Sequence, residues 1–130
     1  MTTTEPGRKF APITITIQGR LVPKKNSKRV VPGVNRPVGS KRWKFYEASA
    51  RWDIRSQYRG ALLPGDVHAR VSYYPPDHRK PDLSAVLETV GDLLEGLVYA
   101  NDRQIVSWDG SRILAPDRGN PRAVVEVREA

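Results

Sequence analysis

The 130 residues include no cysteine, so neither a disulfide framework nor a thiolate metal site is available. Histidine is nearly as scarce. His68 falls in a predicted strand and His78 in a polar turn, each alone, which leaves no histidine-based metal set and no histidine-driven nucleophile. Ser84 has no histidine in a recognisable arrangement with it. Long apolar runs are also missing, and the opening MTTTEPGRKF lacks the apolar core of a signal peptide. The patterns GxSxG, Walker loop and HExxH do not occur. A soluble, cytoplasmic protein with no membrane partner is the expectation.

Basic charge is what the chain has in excess. Lysine and arginine number 22 against 14 acids, a formal net charge of +8. That balance calls for an anionic partner, and nucleic acid fits better than a membrane, because no basic helix has a broad apolar face. The charge is unevenly spread. From Arg20 to Arg59 there are twelve Lys or Arg, with only Glu47 and Asp53 against them. From Lys80 to Val106 there are five carboxylates, Asp82, Glu88, Asp92, Glu95 and Asp102, and after Lys80 the one basic residue is Arg103. An acidic focus in a basic protein is the layout of a metal-dependent nuclease: basic surface holds the phosphate backbone, and clustered carboxylates hold an ion. Plain solvation of a surface helix also accounts for an acidic face.

The acidic stretch predicts a helix entered through Pro81 and Asp82. Leu83, Val86, Leu87, Val90, Leu94 and Leu97 recur at the spacing of one buried face, with Ser84, Glu88, Asp92 and Glu95 opposite. Gly96 is placed to end it. Such a helix spans about 21 Å. An extended run from Gly96 would be long enough to return Asp102 to Asp82.

In register and without a gap, Lys80, Pro81, Asp82, Leu83, Asp92, Leu94, Gly96, Tyr99, Asp102, Gln104 and Ile105 follow the pattern K/R-P-D-L-D-N-L-x-K-x-x-x-D-x-L-x-G-x-x-Y-x-D-D-x-Q-I/V. The stretch thereby resembles the signature of the RusA-type Holliday-junction resolvases. Ser84 stands where the pattern has a second Asp, Ala85 replaces Asn, Glu88 replaces Lys, and Asn101 replaces the first Asp of the pair. The resemblance implies a homodimer that cuts branched DNA in recombination and repair with Mg²⁺ or Mn²⁺, in a bacterium or a phage-infected cell. It implies metal ligands at Asp82, Ser84 and Asp102, and a transition-state cation at the Glu88 position. Here Ser84 offers a hydroxyl, Glu88 is a candidate replacement ligand, and the lost ammonium must come from Arg79, Lys80 or Arg103. The alternatives are a dimeric junction-binding protein with an impaired site, or a basic nucleic-acid-binding domain whose acidic helix meets a protein partner.

Along the chain, residues 1–10 read as a flexible tail and 11–130 as one domain. Pro12–Gln18 alternates as a strand. Residues 20–41 show no sustained period, and Lys24, Lys25, Lys28 and Arg29 are candidate phosphate contacts. Lys41–Gly60 predicts a helix with a core stripe of Trp43, Tyr46, Ala50, Ile54 and Tyr58. Lys41, Lys44, Arg51, Arg55 and Arg59 form a basic ridge beside it; Lys41, Lys44, Arg51 and Arg55, with Arg79 and Lys80, are assigned to DNA. Val67–Tyr74 alternates as a second strand. Gln104–Leu114 reads as a strand interrupted at Asp109–Gly110 by a tight hairpin turn or a glycine bulge; the resemblance implies one long strand and hence the bulge, and Arg122–Arg128 is the last strand. The order β-α-β-α-β-β predicts an α+β domain, a small mixed sheet with two packed helices.

Overall fold

Apolar residues alternate along three strands, and their pairing builds the sheet. In the computed structural model, which describes residues 11–23, 28–30, 37–39 and 41–130, β1 (Ile13–Gln18) pairs antiparallel with β7 (Arg122–Glu129), and β7 with β4 (Val67–Tyr74). Ile15 and Ile17, Val67, Ala69, Val71 and Tyr73, and Ala123, Val125 and Val127 all turn to one face and are buried. The residues between them, polar apart from Val124 and Tyr74, point the other way and are less buried, so the sheet has one well-covered side.

The fourth position in the sheet is an edge made of two short segments, β5 (Ile105–Ser107) and β6 (Arg112–Ile113), each parallel to β4. They occupy the place of the single bulged strand expected from the sequence. The break is wider than one bulged residue. Ser111 N–H donates to the Trp108 carbonyl at 3.0 Å, Gly110 takes φ +86°, and the Ser111 hydroxyl accepts from the Val71 amide at 2.9 Å. A side chain thus replaces a ladder bond where the strand is interrupted.

Two helices cover the sheet. The helix α1 (Lys41–Gln57) packs on β1 and touches α2 (Leu83–Leu94). Trp43, Ala50 and Ile54 are buried, with Tyr46 and Tyr58 packed against them, as the predicted stripe requires. Its end comes at Gln57, three residues before Gly60. From α2, Ala85, Val86, Thr89, Val90, Leu93 and Leu94 are buried. The sheet and helix pair form the expected α+β architecture. The stretch between Arg20 and Lys41 also holds a small two-stranded sheet, β2 (Lys28–Val30) with β3 (Pro37–Gly39). Three-residue strands are too short to show a period, which is why the sequence gives no sign of them. Lys28 and Arg29 lie in β2, while residues 1–10, Lys24 and Lys25 lie outside the described residues. No helix among the described residues is long and apolar enough to cross a membrane.

Candidate active site

One end of α2 is organised by Asp82. It is the N-cap, with extended backbone, and its Oδ1 accepts from the Ser84 amide at 3.0 Å and the Ser84 hydroxyl at 2.9 Å. Pro81 therefore precedes the cap, where it fixes the approach of the chain at the helix entrance. Ser84 steadies the Asp82 carboxylate where the resolvase pattern has a second carboxylate.

A cleft of about 190 Å³ opens here, lined among others by Arg20, Tyr73, Asp77, Arg79, Lys80 and Asp82. The Arg79 amide donates to Asp77 at 3.0 Å, and its guanidinium approaches the same carboxylate at 3.5 Å. That amide bond, with the charges of Arg79 and Arg20, holds the Asp77 carboxyl below its ordinary range. Arg79 and Lys80, two of the expected cation sources, line the same cleft as Asp82, and Arg20 joins them there. The sequence marked Arg20 only as one of many bases; its proximity depends on the β1–β7–β4 pairing.

The other end of α2 holds Asp92, Glu95 and, beyond the turn, Asp102. Glu95 is the C-cap and Gly96 follows at φ +84°, a left-handed position that favours glycine. The chain then folds into a tight turn, with the Gly96 amide bonded to the Tyr99 carbonyl at 2.7 Å. It does not run back along the helix, so Asp102 stays at the C-terminal end, its amide donating to Glu95 Oε2 at 3.3 Å. The length of α2, about 18 Å at 1.5 Å per residue, separates Asp82 from Asp102. The expected meeting of these two carboxylates does not occur within one chain. Glu88 is exposed between them, about 9 Å along the axis from Asp82. Among the described residues, no three acids or histidines are grouped so as to hold an ion.

The residues around Asp102 are firmly positioned. Asn101 caps a single 3-10 turn, Asp102–Gln104, by accepting from the Arg103 amide at 2.8 Å. Asp and Asn cap equally well, so replacing the pattern's first Asp by Asn keeps that local role. Gln104 accepts from the Ala100 and Asn101 amides, each at 3.0 Å, and donates to the Leu63 and Gly65 carbonyls at 2.9 and 2.7 Å. Tyr99 is fully buried and donates to the Gly91 carbonyl at 2.7 Å. Burial, then the charges of Asp102, Glu95 and Asp92, push its phenol well above the ordinary tyrosine range.

Arg51 closes this end. Its guanidinium donates to the carbonyls of Asp92 at 3.0 Å and Glu95 at 3.1 Å, satisfying groups that the last turn of a helix leaves open. Of the predicted basic ridge, Lys41, Lys44, Arg55 and Arg59 are exposed, whereas Arg51 is half-buried and serves α2. Sequence periodicity placed Arg51 on the ridge; the α1–α2 contact assigns it this second role.

These features have known counterparts. The family model "Endodeoxyribonuclease RusA" matches residues 18–128. A crossover junction endodeoxyribonuclease RusA of Aquifex aeolicus (strain VF5) is 27% identical over 111 residues, covering 78% of this chain and 86% of the relative. The matched span runs from the end of β1 almost to the end of β7 and includes both ends of α2. The chain belongs to the RusA endodeoxyribonuclease family.

Proposed function

We propose that the protein is a divalent-metal-dependent endonuclease that cuts branched DNA, such as a Holliday junction, during recombination and repair, and that it works as a homodimer. The observation that carries this reading is the pair of exposed carboxylates, Asp82 and Asp102, fixed at the two ends of α2 with bases beside each.

Asp82 and Asp102 are hard oxygen donors of the kind Mg²⁺ or Mn²⁺ accepts, yet one chain sets these two at opposite ends of a helix about 18 Å long. One chain alone therefore does not bring both to one ion. Two copies do, when a two-fold axis sets the Asp82 end of one against the Asp102 end of the other; this arrangement gives two equivalent sites, one for each of two opposed strands. A bound divalent ion would supply Lewis-acid activation of the scissile phosphate and neutralise charge on it. The chain's own groups do the rest. Ser84 orients Asp82 through two hydrogen bonds, and Arg20, Arg79 and Lys80 offer cations to phosphate oxygens at that end, with Arg103 next to Asp102. Lys41, Lys44 and Arg55 extend the phosphate-binding surface along α1, and Lys24, Lys25, Lys28 and Arg29 remain assigned to it.

A labelled four-way junction incubated with and without Mg²⁺ tests the reading. Cleavage should require the ion and be lost in Asp82→Asn and in Asp102→Asn. Binding without cleavage by the parent protein would instead support the impaired-site reading, which the Ser84 and Glu88 substitutions favour.

A further inference from the structure

Two of the largest apolar side chains are on the wrong side of α1 for a core. Phe45 is 82% exposed and Trp52 is 73% exposed, although the same helix buries Trp43, Ala50 and Ile54. At 100° per residue, Phe45, Ala48 and Trp52 form one line opposite the buried stripe, and Lys41, Lys44 and Arg55 border it. The rings are seven residues apart, about 10.5 Å along the axis, or about three base steps of 3.4 Å.

Resting on the DNA-binding reading above, we propose that this face of α1 is a stacking platform for unpaired DNA bases. Phe45 and Trp52 supply the rings, and Lys41, Lys44 and Arg55 hold the phosphates between them. The occupant follows from the chemistry. Exposed rings bordered by cations suit a polyanion that also presents flat π faces, and single-stranded nucleic acid does both. Paired bases show a protein only their edges, so the rings select bases that are out of the stack. A second copy is a poor occupant, because a two-fold contact through this face would bring like charges together.

The surface also leads somewhere. Beyond Trp52 it opens into a cleft of about 360 Å³ lined by Arg55, Tyr58, Arg59, Leu62 and Leu97. Gly96 lines it too, next in sequence to Glu95, whose carboxylate meets the Asp102 amide. A strand lying along α1 therefore ends beside the acids at the C-terminal end of α2. The platform gives the enzyme a preference for branch points with unpaired nucleotides.

The test uses the full chain, a labelled oligo-dT single strand and a duplex of the same length. Phe45→Ala/Trp52→Ala should keep the parent melting temperature, since both rings are exposed. It should lose affinity for oligo-dT by roughly ten-fold or more per ring, with an unchanged salt slope because no cation is removed. Duplex affinity should stay as in the parent, and Trp52→Tyr should restore single-strand binding. Unchanged oligo-dT affinity in the double variant, while the parent binds and cuts junctions, overturns the platform and leaves the nuclease reading intact. A parent that binds neither DNA overturns both. If the variant also changes association state, crosslinking to iododeoxyuridine decides: adducts on Phe45 or Trp52 uphold the proposal, and adducts only elsewhere overturn it.

Discussion

Asp82 has two roles, and they can be separated. It caps α2 and it is the proposed ligand at that end. Asn is as good a cap as Asp, so Asp82→Asn should fold like the parent and lose cleavage, whereas Asp82→Ala should also lose about 1 kcal/mol of stability. Ser84 and Glu88 divide similarly. Glu88 is exposed and a turn beyond Ser84, too far along the helix to join Asp82 without a large rearrangement, so Glu88→Ala should leave cleavage nearly unchanged. Ser84→Asp adds a hard ligand beside Asp82 and should raise junction cleavage by roughly 10²-fold. A Glu88→Ala variant as damaged as Asp82→Asn would make Glu88 a working ligand instead. Tyr99 gives a prediction in pH. Its phenol is raised by burial and by the neighbouring acids. The unfolded chain releases this proton near pH 10 and the folded chain holds it, so stability from this group is fully present below about pH 10 and falls above it. Tyrosinate absorbance from Tyr99, taken as parent minus Tyr99→Phe, should therefore appear only together with unfolding. Its appearance near pH 10 in folded protein would contradict the burial.

Among the elements, α2 depends on α1 through Arg51. Arg51→Ala removes two bonds from a cation to the C-terminal carbonyls of α2, a loss of about 2 kcal/mol and roughly 6–10 °C in melting temperature. Arg55→Ala, on the exposed ridge, should leave the melting temperature alone and reduce the salt slope of DNA binding by about one unit. Equal effects of the two variants on the slope would return Arg51 to the DNA surface. The elements themselves were largely legible in the sequence. The alternation of Val67–Tyr74 and Arg122–Arg128 and most of the apolar spacing of the two helices survive packing, because each follows the period of its own backbone; Leu83, exposed at the start of α2, and Leu97, past its end, are the exceptions. The site was legible in composition but not in geometry. Leu97 and Tyr99 fit equally a chain running back along α2 and one that turns under it; the tight turn after Gly96 decides, and it depends on contacts with Leu63 and Gly65 more than thirty residues earlier. Phe45 and Trp52 lie opposite the buried stripe on the α1 wheel, a position that the helical period fixes from the sequence alone.

For the whole molecule, the separation of charge acquires a physical meaning. Basic surface runs along α1 and around the Asp82 cleft, while the acids gather toward the far end of α2, and among the described residues no three acids or histidines are grouped to hold an ion. In the proposed dimer association would be part of the chemistry, since two copies would place an Asp82 end and an Asp102 end together twice. The most direct measurement mixes two inactive proteins. Asp82→Asn and Asp102→Asn, each alone, should not cut a labelled four-way junction in Mg²⁺. After co-refolding, a mixed dimer carries one site with both carboxylates lost and one site intact. The account predicts that the mixture recovers nicking of one strand, at up to roughly half the nicking rate of the parent, following the share of mixed dimers. A mixture as inactive as its components, with mixed dimers shown to be present, would place both ligands of each site in one chain and contradict the account.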